Sequence, residues 1–179
     1  MEEKELISQL QNAKTKSKAF EYLVDTYQKK LYWHIRRIVI SHDDTDDILQ
    51  DTFIKIFRNI DGFRAESSLF SWVYRIATNQ ALDFLKKRAS QQNCSIEDVQ
   101  YHRCANLQAD AYFEGDEIQK KFQKAIACLP EKQQLVFNMK YFQEMKYDEI
   151  AEILGTSVGA LKASYHHAVQ KIKSYLQAN

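Results

Sequence analysis

Residues 147–162 read YDEIAEILGTSVGALK, a short apolar helix followed by a glycine break and the start of a second amphipathic helix. Ile150, Ala151 and Leu154 recur at helical spacing and are expected to form the inward side of the first helix. Gly155 permits a left-handed C-cap between the two helices. Two helices joined by so short a turn predict a helix-turn-helix, which presents its second helix to the major groove of DNA.

The second helix of this motif carries an apolar stripe, and Ser157 is expected to be its N-cap. The stripe comprises Val158, Leu161, Tyr165, Ala168, Ile172 and Leu176. A rotation of about 100° per residue places a second set opposite the stripe. That set comprises Gly159, Ala163, His166, His167 and Gln170, with Lys162 and Lys173 on one flank. This face either reads DNA or is a solvated surface, and a metal ion shared by neighbouring histidines is disfavoured because they point apart.

The composition predicts an all-α fold. Only four glycines and one proline interrupt 179 residues, and no sustained alternation of Val, Ile and Thr suggests strands. Apolar residues make up 45% and charged residues 27%, which is typical of a globular protein.

Cysteine usage and the first residues bear on redox state and location. Cys94, Cys104 and Cys128 lack paired CxxC spacing, which argues against a disulfide framework and a four-ligand zinc site. Residues 1–5 are charged and no apolar run follows them. We therefore expect no bound metal, no signal peptide, no membrane span and a cytoplasmic location.

Apolar periodicity divides the chain into two small helical domains joined by a flexible linker. Residues 1–90 carry three helical patterns, and residues 118–179 carry the helix-turn-helix. Residues 91–117 are rich in Gln, Asn, Ser and acidic residues and have no regular period, so they are predicted to be an acidic linker. The formal net charge is only +1, which is small for a protein that binds DNA alone. A partner that supplies most of the affinity is therefore expected.

An acidic cluster opens the second predicted helix. Its members are Asp43, Asp44, Asp46, Asp47 and Asp51. They either compensate the helix dipole on a solvated face or form a docking edge for a basic partner. In the second case Gln50, Ile54 and Phe57 would add polar and apolar contacts. A calcium loop is disfavoured because alternate oxygen ligands and a central glycine are missing.

A polar loop precedes the third helix and has the side chains needed to hold an unstacked base. It supplies an aromatic ring, a cation and hydroxyl groups from Phe63, Arg64, Glu66, Ser67 and Ser68. The following Trp72 is in phase with Leu69, Val73 and Ile76, so we predict that it belongs to the core.

Taken in this order, the pieces resemble a bacterial RNA polymerase sigma factor of the extracytoplasmic-function group of the sigma-70 family, over residues 16–176. Residues 46–53 are similar to the region 2 helix that docks on the polymerase. Residues 63–68 and 72–79 are similar to the part of region 2 that opens and reads the minus-ten element. Residues 129–133 and 147–151 are similar to region 4, which reads the minus-thirty-five element.

The resemblance implies three sets of binding residues. For docking on polymerase they are Asp46, Asp47, Gln50, Asp51, Ile54 and Phe57. For the minus-ten element they are Phe63, Arg64, Ser67, Ser68, Arg75, Asn79, Asp83, Lys86 and Lys87. For the minus-thirty-five element they are Lys162, Ala163, Ser164, His166, His167 and Lys171.

The resemblance also implies partners and a departure from the family. The expected partners are core RNA polymerase, through the clamp of its beta-prime subunit and its beta flap, and promoter DNA. Many members are held by an anti-sigma protein, which is therefore a candidate partner. Family members often carry arginines where this chain has Ser164, His167 and Val169, and arginine reads guanine in a bidentate way that serine cannot. A weakly read upstream element is expected.

Two other functions remain open at this point. An operator-binding regulator would use the same helix-turn-helix and bind its site without polymerase. A metal-dependent nuclease would use the carboxylates of residues 43–51. No phosphate-binding loop is present, so the sigma-factor hypothesis requires duplex melting by binding energy alone, without a cofactor or catalysis.

Overall fold

The computed structural model describes residues 2–92 and 117–178, so most of the predicted linker, with Cys94 and Cys104, lies outside the described residues. Every regular element in the described ranges is helical, which confirms the predicted all-α fold. The helices are α1 (Glu3–Leu10), α2 (Lys16–Val39), α3 (His42–Asn59), α4 (Leu69–Gln91), α5 (Glu117–Ala127), α6 (Glu131–Tyr141), α7 (Tyr147–Leu154) and α8 (Val158–Ala178). The chain divides into two compact units, Met1–Leu82 and Asp83–Asn179.

The first unit is built on the pair α2 and α3, with α4 completing its core. Leu31, Ile35 and Ile56 are fully buried. The break between α2 and α3 falls at Ile40, whose backbone is left-handed with φ of 68°. The hydroxyl of Ser41 then accepts a hydrogen bond from the Asp44 N–H at 3.3 Å. Because Ser41 is the N-cap, the acidic residues that follow it lie inside α3.

The sequence patterns missed α1, the first helix of this unit. Its eight residues bury Leu6 and Leu10, which are 6% and 0% exposed. Because only two apolar residues anchor it, the helix has too short a stripe to be read from periodicity. The first unit therefore contains four helices, with a 3-10 turn at Ile60–Gly62 after α3.

The second unit packs α5, α6 and α8 around one apolar cluster. Its buried members are Ala125, Ile126, Leu129, Phe137, Ala168 and Ile172. The ring of Phe137 stacks on that of Tyr165 with centroids 5.7 Å apart, which joins α6 to α8.

The helix-turn-helix of α7 and α8 forms as predicted, with one change in its inward side. Gly155 has φ of 61°, and its N–H donates to the carbonyl of Ala151 at 2.9 Å. Ile150 and Ile153 are the buried pair of α7, at 0% and 4% exposed. Ile153, which was not in the predicted set, takes the second buried position, and the predicted Ala151 and Leu154 are half-buried.

Candidate docking and nucleic-acid interfaces

An apolar cleft opens between α2 and α3 and has a volume of about 320 Å³. It is lined by Phe20, Val24, Gln50, Phe53, Ile54, Phe57 and Arg58, a set hereafter called the apolar cleft. Ile54 and Phe57 remain 42% and 38% exposed, which is unusual for side chains of this size. Three of the predicted docking residues, Gln50, Ile54 and Phe57, therefore lie together on one surface.

The aromatic rings of this cleft are held in place by their neighbours. Phe20 meets Phe53 and Phe57 edge-on, with centroids 6.2 Å and 4.9 Å away. The amino group of Lys16 lies 4.7 Å from the centroid of Phe57 and 2.7 Å from a carboxylate oxygen of Asp61. Phe20 and Val24 also line the cleft, although they were not among the predicted docking residues.

The acidic cluster lies beside the apolar cleft, at the start of α3. Asp46, Asp47 and Asp51 are exposed. A carboxylate oxygen of Asp46 lies 3.6 Å from Nε2 of His42, whose Nδ1 lies 2.7 Å from the Tyr32 hydroxyl. An exposed pair of this kind contributes little to stability. Stabilisation of the fold therefore does not explain why so many carboxylates lie here. Because Asp46, Asp47 and Asp51 are exposed, a binding partner could reach them.

A polar cleft lies at the start of α4 and has a volume of about 490 Å³. It is lined by Gly62, Phe63, Arg64, Glu66, Ser67, Trp72 and Arg75, a set hereafter called the polar cleft. The structure thus gathers four of the predicted minus-ten residues, Phe63, Arg64, Ser67 and Arg75, around one space. Asn79, Asp83, Lys86 and Lys87 are not among the lining residues and lie exposed further along α4.

The two aromatic residues of the polar cleft differ from their predicted roles. Phe63 is only 8% exposed, and its ring packs against Trp72 with centroids 4.9 Å apart. Phe63 was expected on a polar loop, but its ring is buried against Trp72 and forms part of the wall of the polar cleft. Trp72 was expected in the core, but it is half-buried and lines the space because it lies in the first turn of α4, where the loop passes.

The hydroxyl of Ser68 is engaged in holding α4, which leaves this predicted DNA contact with a structural role. It accepts a hydrogen bond from the Ser71 N–H at 3.1 Å and donates to the Ser71 hydroxyl at 2.9 Å. This is the geometry of a side chain that caps a helix N-terminus. Ser67, its neighbour, faces the polar cleft instead.

The outward face of α8 carries the residues predicted to read the minus-thirty-five element. Lys162, Ala163, His166, His167 and Lys171 are exposed, and Ser164 is half-buried. The opposite side is fixed by Leu161, Ala168 and Ile172, which are at most 4% exposed. The Ser157 hydroxyl accepts from the Ala160 N–H at 3.3 Å, which confirms the predicted N-cap.

Tyr147 lies between two cations at the entrance to this motif. The amino groups of Lys140 and Lys162 are 4.9 Å and 5.8 Å from the centroid of its ring. A tyrosine side chain is uncharged at neutral pH, and burial, followed by the nearby phenol of Tyr165, raises the pKa of Tyr147 further. The ring therefore attracts Lys162 as a neutral π face.

Residues 2–92 and 117–178 contain neither a metal-binding cluster nor a membrane-spanning helix. No three His, Cys, Asp or Glu side chains in these ranges are grouped so that they could hold a metal ion. No helix there combines the length and the apolar content that crossing a membrane requires.

Comparison with known proteins identifies both units. A family model described as Sigma-70 region 2 matches residues 23–91, and one described as Sigma-70, region 4 matches residues 119–172. The chain is 30% identical over 168 residues to the ECF RNA polymerase sigma-E factor of Haemophilus influenzae, covering 89% of this chain and 88% of the relative. It is 30% identical over 167 residues to the ECF sigma factor SigW of Bacillus subtilis, covering 89% of each.

Two solved structures share the fold. CnrH, solved in complex with the cytosolic domain of CnrY, aligns with a TM-score of 0.72 at 22% identity, over 99% of this chain and 98% of that one. The sigma factor RpoE of Bartonella quintana, solved with the anti-sigma factor NepR, aligns with a TM-score of 0.68 at 20% identity, over 90% and 99%.

Proposed function

This chain belongs to the extracytoplasmic-function sigma factors of the sigma-70 family, and on that premise we propose how its surfaces direct RNA polymerase to promoters. Family membership favours this function over the operator-binding regulator and the nuclease. The observation that carries the proposal is the pairing, within the first unit, of an apolar cleft beside an acidic helix with a separate polar cleft. One surface suits a basic protein partner, and the other suits a nucleic-acid base.

The α3 surface is proposed to dock on core polymerase, at the clamp of the beta-prime subunit. Exposed Ile54 and Phe57 offer apolar area that association would bury, and aromatic residues such as Phe57 are enriched at the cores of interfaces. Asp46, Asp47 and Asp51 would steer a basic partner toward the same place. The second unit would contact the beta flap.

The polar cleft is proposed to capture one unpaired base of the promoter during opening of the minus-ten element. Trp72 offers an aromatic face, Arg64 and Arg75 offer cations, and Glu66 and Ser67 offer hydrogen-bonding groups. Stacking of a base on an aromatic ring contributes about 1–3 kcal/mol, comparable with the cost of removing a base from the duplex. Capture would therefore hold the duplex open without ATP or catalysis by this chain.

Helix α8 is proposed to enter the major groove of the minus-thirty-five element with Lys162, His166 and His167. Because α8 carries no arginine, we expect it to read DNA weakly and to depend on attached polymerase. An anti-sigma factor is a further proposed partner, since RpoE of Bartonella quintana was solved with one. The proposed location is the cytoplasm, with the polymerase and the chromosome.

The test is reconstitution of transcription from purified parts. The full chain is mixed with core polymerase at low salt, and a promoter is selected from a random library with the assembled complex. We expect a stable complex and transcripts that start at the selected promoter only when the chain is present. If the chain does not bind core polymerase but binds a specific duplex site by itself, the operator-binding regulator is favoured and the proposal is rejected.

A further inference from the structure

Two side chains from the N-terminal segment bind the two ends of the loop of residues 63–68, which forms one wall of the polar cleft. At the first end, the side-chain amide of Gln11 donates to the carbonyl of Ile60 at 3.1 Å and to that of Phe63 at 2.8 Å. A single amide nitrogen carries two hydrogens, so Gln11 can serve both carbonyls at once. The Ile60 carbonyl also accepts a hydrogen bond from the Phe63 N–H at 3.1 Å, so Gln11 joins a backbone bond that already closes the 3-10 turn after α3.

At the other end of the loop, a carboxylate oxygen of Glu3 accepts a hydrogen bond from the Leu69 N–H at 3.2 Å. Leu69 is the first residue of α4, so this N–H is one of the donors that a helix leaves unsatisfied at its N-terminus. A negative charge is also favoured at this end of the helix dipole. Glu3 begins α1 and Gln11 follows it, so one short helix holds both ends of the loop.

The loop between these two ties has a backbone that needs support. Ala65 has φ of 55°, in the left-handed region that is unfavourable for a non-glycine residue. Such a conformation persists where surrounding contacts fix it. A third tie comes from Lys16, whose amino group lies 2.7 Å from a carboxylate oxygen of Asp61. The buried Leu6 and Leu10 anchor α1 itself.

We infer that Glu3 and Gln11 are positioning residues, which set the loop of residues 63–68 in the conformation that receives an unpaired promoter base. A loop that is already ordered binds more tightly, because it loses less conformational entropy when the ligand binds. The inference rests on the proposed role of the polar cleft. It assigns a function to residues that precede the segment 23–91 matched by the region 2 model.

The experiment measures how much one base contributes to binding. The full chain is assembled with core polymerase and bound to a single-stranded non-template oligonucleotide that carries the selected minus-ten sequence. Each position is tested with its base and as an abasic site. The measured quantity is the Kd of the abasic strand divided by the Kd of the intact strand, and the captured position is the one where this ratio is highest. The ratio at that position is compared between the wild type and the variants Gln11→Ala and Glu3→Ala.

We expect both variants to lower this ratio by about tenfold, within the range that one stacked base contributes. Glu3→Gln, which keeps an acceptor oxygen, should retain a ratio near that of the wild type. Gln9→Ala and Glu5→Ala are matched controls in α1, because Gln9 donates to Glu5 within that helix at 3.3 Å, and both should keep the wild-type ratio. Unchanged affinity for core polymerase checks that each variant is folded.

The possible outcomes separate the inference from the proposed function. A wild-type ratio that survives in Gln11→Ala and Glu3→Ala overturns the positioning role and leaves base capture intact. A wild type that binds every abasic strand as tightly as the intact one rejects base capture, and the positioning role with it. If Gln11→Ala does not fold, the comparison of Glu3→Ala with Glu3→Gln decides the inference alone.

Discussion

The ring of Phe20 meets the ring of Phe57 edge-on, with centroids 4.9 Å apart and an interplanar angle of 73°. This contact joins α2 to α3 across the apolar cleft, where Lys16 also covers the ring of Phe57. Aromatic pairs of this geometry contribute about 0.5–1.5 kcal/mol beyond the area they bury. The proposed docking surface therefore has a fixed shape before any partner arrives.

Ile54 and Ile56 are two residues apart on α3 and separate docking from stability. Ile54 is 42% exposed, so Ile54→Ala should cost less than about 1 kcal/mol of stability but weaken binding to core polymerase by about tenfold. Ile56 is fully buried, and Ile56→Ala should lower the free energy of unfolding by about 2–5 kcal/mol. Urea unfolding followed by the fluorescence of Trp33 and Trp72 reports on this unit alone. Equal polymerase binding by Ile54→Ala and the wild type would exclude Ile54 from the interface.

Asp47→Lys reverses one charge of the acidic cluster. Asp47 is exposed, so its replacement should leave stability within about 0.5 kcal/mol of the wild type. Placing a cation against a basic partner should weaken polymerase binding by about ten- to hundredfold, and the loss should shrink as salt is added. Titration of core polymerase at two salt concentrations measures both effects. Glu5→Lys, an equal charge reversal on α1, is the control, and a similar loss there would argue against a localised docking edge.

Gly155 and Gly159 lie on either side of the turn between α7 and α8 and should respond in opposite directions to alanine. Gly155 has φ of 61°, and a Cβ there would have open space, so Gly155→Ala should cost about 1 kcal/mol through backbone strain alone. Gly159 lies inside α8 with equally open space, and Gly159→Ala should stabilise the helix by up to about 1 kcal/mol. Thermal unfolding followed by far-UV circular dichroism compares the two variants. A stabilising Gly155→Ala would contradict the left-handed cap.

Composition predicted the all-α fold, and apolar periodicity together with Gly155 predicted the helix-turn-helix, because a long apolar stripe such as that of α8 follows the buried side of a helix. The same patterns misjudged the burial of two aromatic residues, Trp72 and Phe63. Trp72 is in phase with buried neighbours, and nothing in its spacing reveals that the loop before α4 leaves part of it uncovered. Phe63 lies in a polar stretch, yet its ring packs against Trp72. Helical periodicity cannot predict this contact, because Phe63 lies in the loop and Trp72 in the following helix.

The α1 contacts were also outside the reach of sequence patterns. Glu3 and Leu69 are 66 residues apart, and the hydrogen bond between them depends on the tertiary fold. Local rules detect caps within one helix, such as Ser157 for α8, but not a cap supplied by another helix. The residues of the polar cleft could be proposed from composition and resemblance, whereas their support could be found only in the structure.

Leu161 and Lys162 are neighbours on α8 and separate the core from the DNA-facing surface. Leu161 is fully buried, and Leu161→Ala should destabilise the second unit by about 2–5 kcal/mol. Lys162 is exposed, and Lys162→Ala should preserve stability while lowering by about one the slope of log affinity for promoter DNA against log salt. The slope is measured with assembled polymerase on duplex promoter. Lys120→Ala on α5 removes an equal charge, so an identical change in slope there would show a nonspecific effect.

Tyr74 and Tyr27 predict a loss of stability in alkali. Burial is the main cause that raises the pKa of each phenol to about 12, and Tyr74 is only 3% exposed. In the unfolded chain a phenol ionises near pH 10, so the unfolded state releases its protons first as the pH rises. The stabilisation is therefore complete below pH 10 and is lost between pH 10 and pH 12. For Tyr74 the loss should reach about 2–3 kcal/mol, and for the half-buried Tyr27 solvent screening makes it smaller.

Tyr74→Phe tests this assignment because it removes the titrating hydroxyl and keeps the ring. Free energies of unfolding from urea titrations at pH 9, 10 and 11, followed by tryptophan fluorescence, should fall with pH in the wild type and fall less steeply in Tyr74→Phe. Tyr22→Phe, at a phenol that is 42% exposed, is the matched control and should keep the wild-type slope. The comparison uses slopes, so a constant change in stability from the lost hydroxyl does not affect it. If Tyr74→Phe and the wild type decline in parallel, the phenol of Tyr74 is not the group whose ionisation opposes folding.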